Sequence, residues 1–389
     1  MIRKNNYYLP CLPQKNTSKS FLASFFRSSF LTALGASFGA SHLVPLLIFF
    51  LFSACADESL PPQTTEPDGG SGLYEKGVFV VCEGNFGWGV GTVSFLDEKN
   101  DKVFNKIFSK ANQNDLLGNV AQSMVLHQNR GYVVVNNSQK IEVVEPKTFK
   151  RITTFEGFVS PRVLLPLEGE QQKAYLTNIF RNFFYVIDLK TGAILKTIET
   201  GFWTENLLQV ADKIWVSAHD ADKIAIFEPE NDTEIKRLTV GKGTKWWVKD
   251  AENKVWLLTK GALPGQNGQA ELVCIGGESF EMRAIKKFEL TDKVSQLAID
   301  ARKETLFYVR NRQLIALKIS DLTEKVLVEN LPAALVYNLE AHPNEPYLYL
   351  ADALDYVQEG IVWKYDSRSG ELLGQYSVGV IPNDFCFQP

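Results

Sequence analysis

Reactive side chains are scarce in this sequence of 389 residues, which holds four histidines and five cysteines. Beyond residue 54 the histidines are His127, His219 and His342, and none has a second His or a Cys at metal-ligand spacing. No H-E-x-x-H, G-x-S-x-G, P-loop or zinc pattern occurs, so the motif-borne metal, nucleophile and nucleotide sites are excluded. Gly84, Gly87, Gly89 and Gly91 are spaced like a phosphate loop. No helical pattern follows them to supply the N-terminus that would hold a phosphate, so they read as a flexible strand connection. His342-Pro343 reads as a solvated turn. Lys and Arg nowhere form a dense cluster, and the formal net charge is −4. Nucleic acid is therefore not an expected partner, because phosphate binding needs a basic face. Amphipathic stretches of 3.6-residue period are also missing, which speaks against α/β enzyme folds with a parallel sheet.

The apolar run Leu43–Phe52 has ten residues and contains Pro45, whereas spanning a bilayer takes roughly 20. It follows five basic side chains (Arg3, Lys4, Lys15, Lys19, Arg27) in a stretch without acids, the order of a secretory signal. Ser53 and Ala54 then precede Cys55. This resembles a bacterial lipobox, whose cysteine is acylated and becomes the first mature residue, with Phe52 where Leu is usual. The expected organisation is a signal peptide over 1–54, an acylated Cys55 with a Pro/Gly-rich tether to 72, and a folded domain over 73–389. Loss of the five leader charges takes the formal net charge to −9, so lipid, not charge, is expected to hold the protein at its membrane.

What fills 73–389 is a repeat. Aromatic-aliphatic runs recur at Phe79–Cys82, Tyr132–Val135, Tyr175–Asn178, Trp215–Ala218, Trp256–Thr259, Phe307–Arg310 and Tyr349–Asp352, spaced by 53, 43, 40, 41, 51 and 42 residues. Periods of about 40–50 with several short strands each predict an all-β, seven-bladed β-propeller. Within a unit, Asp/Glu-x-x-Thr/Ser-Gly, as in Asp188 to Gly192, predicts a hairpin between third and fourth strands with Gly at positive φ. The segment Ile381–Phe387 has no partner strands of its own, while the first unit lacks an opening strand. The C-terminal strand is therefore expected to join the first blade and close the ring, which removes exposed sheet edges. Closure puts Cys386 on the strand beside Cys82, as a disulfide staple or as buried free thiols. Cys274 is expected to pack as a small hydrophobe.

Tyr132–Asn136 and Tyr175–Asn178 resemble the YVTN repeat of YncE-like seven-bladed propellers. Val80–Phe86, Gly118–Met124 and Val133–Val144 resemble surface lipoproteins of Bacteroidota, including the BtuG-type cobalamin-binding propellers. Cys55-Ala-Asp-Glu also resembles the acidic signal that exports such lipoproteins to the outer face of the outer membrane. The resemblance implies a surface-exposed binding module that passes a nutrient, cobalamin or a related corrinoid, to a TonB-dependent transporter.

Loops joining blades and loops joining second to third strands open on one face of a propeller. Asn85, Phe86, Trp88, Asn136, Asn137, Phe180, Arg181, His219, Asp220, Arg310, Asp352 and Tyr356 fall in the second group, and Phe202, Trp203, Trp246, Trp247 and Tyr337 at or near the first. Flat side chains with a few hydrogen-bonding groups around an opening suit a large, flat, partly polar ligand. Alternation along a strand means that one of Trp246 and Trp247 packs between blades instead. Residues 260–269 lengthen the fifth unit as a lip or a plain insertion. The expected activity is binding without catalysis, cofactor or metal. A glycan- or peptide-binding module and a protein scaffold are the alternatives, the first because sugars also stack on aromatic faces.

Overall fold

The computed structural model describes residues 74–167, 172–219, 221–261 and 268–389. The leader, Cys55, the tether, Asp220 and residues 262–267 of the fifth unit's loop lie outside them. Among the described residues the strands form seven antiparallel four-stranded sheets. The seven aromatic runs are the second strands of the seven blades, as the repeat predicts. The C-terminal strand, Pro382–Gln388, pairs with Gly77–Cys82 and forms the inner strand of blade 1, so the ring closes as expected. The one described helix, Ile107–Ala111, lies between blades 1 and 2.

The composition of each strand follows from its place in the blade. Second strands such as Gly77–Cys82 are buried along their whole length, because neighbouring blades cover both faces. Fourth strands such as Thr233–Thr239 are nearly all exposed and carry Glu, Lys and Arg. Alternate residues of a buried strand serve opposite interfaces. Phe79 and Val81 pack into the core between blades 1 and 2, whereas Val78, Val80 and Cys82 pack into that between blades 7 and 1. Each of the other five interfaces has its own apolar cluster. The core is thus a ring of seven wedges around a channel.

The third-to-fourth turns behave as their sequence predicts. Asp188 accepts the N–H groups of Lys190 (2.9 Å) and Thr191 (2.8 Å), and Gly192 closes the turn at φ +76°, where a side chain would be strained. Tyr74 donates its N–H to the Lys147 carbonyl at 2.7 Å and packs its ring on Phe79, Phe95, Phe104 and Phe149. The chain therefore enters the ring at the end of blades 1 and 2 remote from the 83–91 loop.

Two cysteine questions and one histidine are settled by this packing. Cys82, Cys274 and Cys386 are free. Cys386 faces the blade 1–2 core and Cys82 the blade 7–1 core, so the two thiols lie on opposite faces of one sheet. Cys274 is half-buried against the apolar core between blades 5 and 6. His342 is not a solvated turn residue but is buried at the seam between blades 7 and 1. Its Nδ1 accepts the N–H of Asn344 (3.1 Å) and Glu345 (2.9 Å), which leaves Nε2 to face Glu98 at 3.4 Å.

Candidate binding site at the channel mouth

Inner strands of the seven blades surround a cavity of about 310 Å³. Several ladders between inner and second strands shift register within their first residues, at Ala121/Ser123, Pro161/Leu164, Thr204/Leu207, Ser295/Ala298 and Val336/Asn338. Such an irregularity re-aims a side chain. The residues there, Gln122, Arg162, Glu205, Gln296 and Tyr337, all line the cavity. Lys245 and Trp246 complete that wall from the start of blade 5.

These groups form one network. Arg162 donates from Nε (3.1 Å) and Nη2 (2.8 Å) to Glu205 Oε1 and from Nη1 to Gln122 Oε1 (2.9 Å). Gln122 Nε2 donates in turn to Glu83 (3.3 Å), which also accepts from the Tyr337 hydroxyl (3.4 Å). The second oxygen of Glu205 bonds His219 Nδ1. Burial pushes the Glu205 carboxyl up, but Arg162, His219 and Lys245 outweigh it and hold the group at about 2. Burial wins at Glu83, which is raised, and at Lys245 and Lys260, which are lowered. Farther along the channel Glu340 and Asp384 are both pushed up, Glu340 by its enclosure and the charge of Asp384, and Asp384 by enclosure. The mouth is thus cationic on one wall and the interior holds protonatable acids.

Aromatic residues stand around this mouth in two groups. Phe180 meets Trp203 edge-on at 5.2 Å, and Trp203 stacks on the His219 ring at 6.4 Å, tied by the His219 N–H to the Trp203 carbonyl (2.7 Å). Tyr337 and Tyr356 meet at 5.8 Å. In the 83–91 loop Phe86 is 72% and Trp88 95% exposed. Asn119 holds that loop in place, accepting from Gly87 N (3.1 Å) and donating to the Asn85 carbonyl (3.1 Å) and to Gly89, while Asn85 reaches the Tyr356 carbonyl. A second cavity, about 360 Å³ and mostly apolar, lies below the loop against Phe108 and Leu117. The channel mouth is the better candidate, because several polar groups converge there.

Phe86, Trp88, Phe180, Arg181, Trp203, His219 and Tyr356 therefore stand on the rim, Asn137 beside them bonded to Asn119 (2.6 Å), and Trp246 and Tyr337 on the channel wall. Five expected rim placements are corrected. Phe202 is 5% exposed in the blade 3–4 core and Trp247 8% exposed in the blade 4–5 core, so Trp247 is the member of its pair that packs between blades. Asn136 is buried and donates to the Pro161 carbonyl at 2.7 Å. Asp352 is buried and accepts the N–H groups of Ala334, Leu335 and Leu354 at 2.8–3.0 Å. Arg310 turns away to Glu324 on the outer strand of blade 6 at 3.2 Å. Backbone donors and neighbouring strands satisfy these polar groups before any ligand does. Sequence reasoning missed Glu83, Gln122, Arg162, Glu205 and Lys245. The available signal was a charged residue just inside an inner strand, as in Pro161-Arg162 and Thr204-Glu205. Among the described residues no three His, Cys, Asp or Glu side chains gather as a metal site.

Seven four-stranded blades around a polar channel define a seven-bladed β-propeller. Within that class the chain belongs to the family described as Domain of unknown function (DUF5074), which matches residues 76–338. None of the curated proteins compared with it matches. Among solved structures it is similar to a protein from Lactobacillus plantarum (12% identity, TM-score 0.60, 80% of this chain and 99% of that one). It is also similar to the periplasmic gluconolactonase PpgL of Pseudomonas aeruginosa (12%, 0.59, 80% and 99%). A third likeness is to a putative 6-phosphogluconolactonase of Bacteroides fragilis (13%, 0.59, 83% and 99%). At these identities the likeness is one of fold.

Proposed function

We propose that the protein is a binding module that captures a small organic nutrient over the channel mouth. The carrying observation is the convergence of the Phe180–Trp203–His219 group, Tyr356 and the Arg162–Glu205 network on one opening. Flat faces supply contact area and the buried charges fix orientation. The cavity alone, about 310 Å³, suits part of a ligand, so a larger one lies across the rim. A corrinoid such as cobalamin is the first candidate, on the resemblance to BtuG-type lipoproteins of Bacteroidota and YncE-like propellers. A glycan is the second. Acylation at Cys55 places the module on the outer face of the outer membrane beside a TonB-dependent transporter. The described chain enters the ring at the end remote from the 83–91 loop. A tether of residues 55–72, reaching on the order of 60 Å at ~3.5 Å per residue, is long enough to turn the ring toward a partner.

Titration of the purified protein with cyanocobalamin tests the corrinoid reading. Affinity tighter than about micromolar supports it, and weaker binding rejects it. A glycan array then separates the second candidate. A hydrolytic reading rests on one observation, the pairing of His219 with Glu205 beside Arg162, in a fold shared with proteins named gluconolactonases. Turnover of gluconolactone that is lost in His219→Ala supports hydrolysis, and an unchanged lactone rejects it.

A further inference from the structure

Gly243 places two lysines side by side on the wall of the mouth. Its carbonyl accepts the backbone N–H of Lys245 at 2.9 Å and that of Lys260 at 3.3 Å. Its own backbone is left-handed at φ +75°, and a Cβ there would lie 2.8 Å from the Lys260 Cβ, a separation that real side chains do not tolerate. Glycine therefore lets the connection from blade 4 to blade 5 meet the second-to-third-strand loop of blade 5. Each ammonium then lies over an aromatic face. Lys260 Nζ is 4.9 Å from the Trp246 ring centroid and Lys245 Nζ is 5.8 Å from that of Tyr337.

Among the described residues neither ammonium has a hydrogen-bond acceptor or a carboxylate within bonding distance. The near carboxylates are engaged elsewhere, Glu205 by Arg162 and His219 and Glu83 by Tyr337 and Gln122. Arg162, Lys245 and Lys260 face Glu205 and Glu83 at this opening, with Glu340 and Asp384 deeper in the cavity. Lys245 is half-buried and Lys260 exposed beside it; a half-buried cation without a partner is costly, and an anion entering the mouth would supply it. Cation–π contacts hold both ammoniums over the walls without consuming their N–H donors.

We infer that Lys245 and Lys260 form an anion clamp, and that the ligand captured at the mouth carries a carboxylate or phosphate next to a flat apolar body. This deepens the binding reading above and rests on it. The ammoniums would each donate to an oxygen of the anion, in the charge-assisted geometry that makes such bonds strong. Arg162 stays on Glu205 and positions the floor of the site.

Ligand-observed NMR titration of the purified protein with phenyl phosphate, benzoate, inorganic phosphate and phenol tests the clamp. Phenyl phosphate and benzoate are expected to bind at least about tenfold tighter than phenol. Lys245→Met and Lys260→Met, each checked for an unchanged melting temperature, should reduce the anions to the affinity of phenol and leave phenol unaffected. Inorganic phosphate as tight as phenyl phosphate would assign the site to free phosphate, and weaker binding to an organic anion. Phenol binding with no gain for the anions overturns the clamp and leaves the mouth as a binding site. Failure of all four probes overturns the clamp, and if cyanocobalamin and glycan also fail to bind, the binding reading falls with it.

Discussion

Cys386 is the direct cross-strand neighbour of Phe79, while Cys82 stands opposite Pro382. The two cysteines thus sit at different registers and on opposite faces of blade 1. Burial pushes the Cys82 thiol up to about 12, so both redox bridging and alkylation are suppressed. Cys82 and Cys386 should stay unmodified by iodoacetamide in the folded protein and react once it is unfolded in guanidinium. A melting temperature that drops on adding dithiothreitol would contradict this.

Closure by the last strand makes the C-terminus structural. Deleting 381–389 removes the inner strand of blade 1, with Phe385 from the blade 7–1 core and Cys386 from the blade 1–2 core. It also exposes the unpaired edge of Gly77–Cys82, a site for aggregation. The truncated chain should be insoluble or melt without cooperativity, whereas Phe385→Ala should fold with a loss of about 3–5 kcal/mol by denaturant titration.

At the seam between blades 7 and 1, Glu98 receives His342, the Tyr349 hydroxyl and, at 3.4 Å, Lys364. Burial alone would raise its carboxyl, but these partners lower it from 4.5 to about 2. A depressed acid stabilises the fold above its unfolded value and loses that contribution as pH falls from about 4.5 to 2. The magnitude is on the order of 2–3 kcal/mol. Glu98→Gln should therefore be less stable than the wild type at pH 7 and lose less stability between pH 5 and pH 3, as read by thermal melts.

The channel acids have the opposite sign. Glu340 and Asp384 are raised, so the folded state holds a proton more tightly than the unfolded chain. Their contribution is complete below the ordinary carboxylate range and is lost as pH rises from there through the raised folded values. Glu340→Gln should melt higher than the wild type at pH 9 and show little difference at pH 4. Equal melting temperatures at both values would show that the two carboxyls do not oppose one another.

Two adjacent-looking tryptophans should separate function from stability. Trp247→Ala opens a cavity in the blade 4–5 core and is expected to cost about 3–5 kcal/mol. Trp203→Ala removes a rim ring stacked on His219 and should leave the melting temperature within about 1 °C while weakening ligand binding severalfold.

How much of this was legible depends on the range over which each signal acts. Phe79, Tyr132 and their five counterparts mark second strands because a strand enclosed by two blades must be apolar along its length, a property written in consecutive residues. Gly192 and Gly370 mark turns for an equally local reason, their positive φ. Phe202 and Trp203 differ in role although they are neighbours with similar side chains, because alternation sends one ring into the blade 3–4 core and the other to the rim. Composition does not say which. His342 is misread for a related reason, since it is enclosed by Phe387 of the closing strand and faces Glu98, some 250 positions away, and no window of sequence contains them all.

The sequence by itself determined the seven-fold repeat, the four-stranded unit and the need for the last strand to complete the first blade. Those follow from local apolar pattern, turn chemistry and the cost of an open sheet edge. Only the tertiary structure decided what faces the channel. The register shifts that aim Arg162, Glu205 and Tyr337 inward lie in three separate blades, and the Gly243 carbonyl brings Lys245 beside Lys260 in a fourth. Their residues are too far apart in the chain for periodicity to link them, and they meet because closing a ring of seven wedges leaves one position for each.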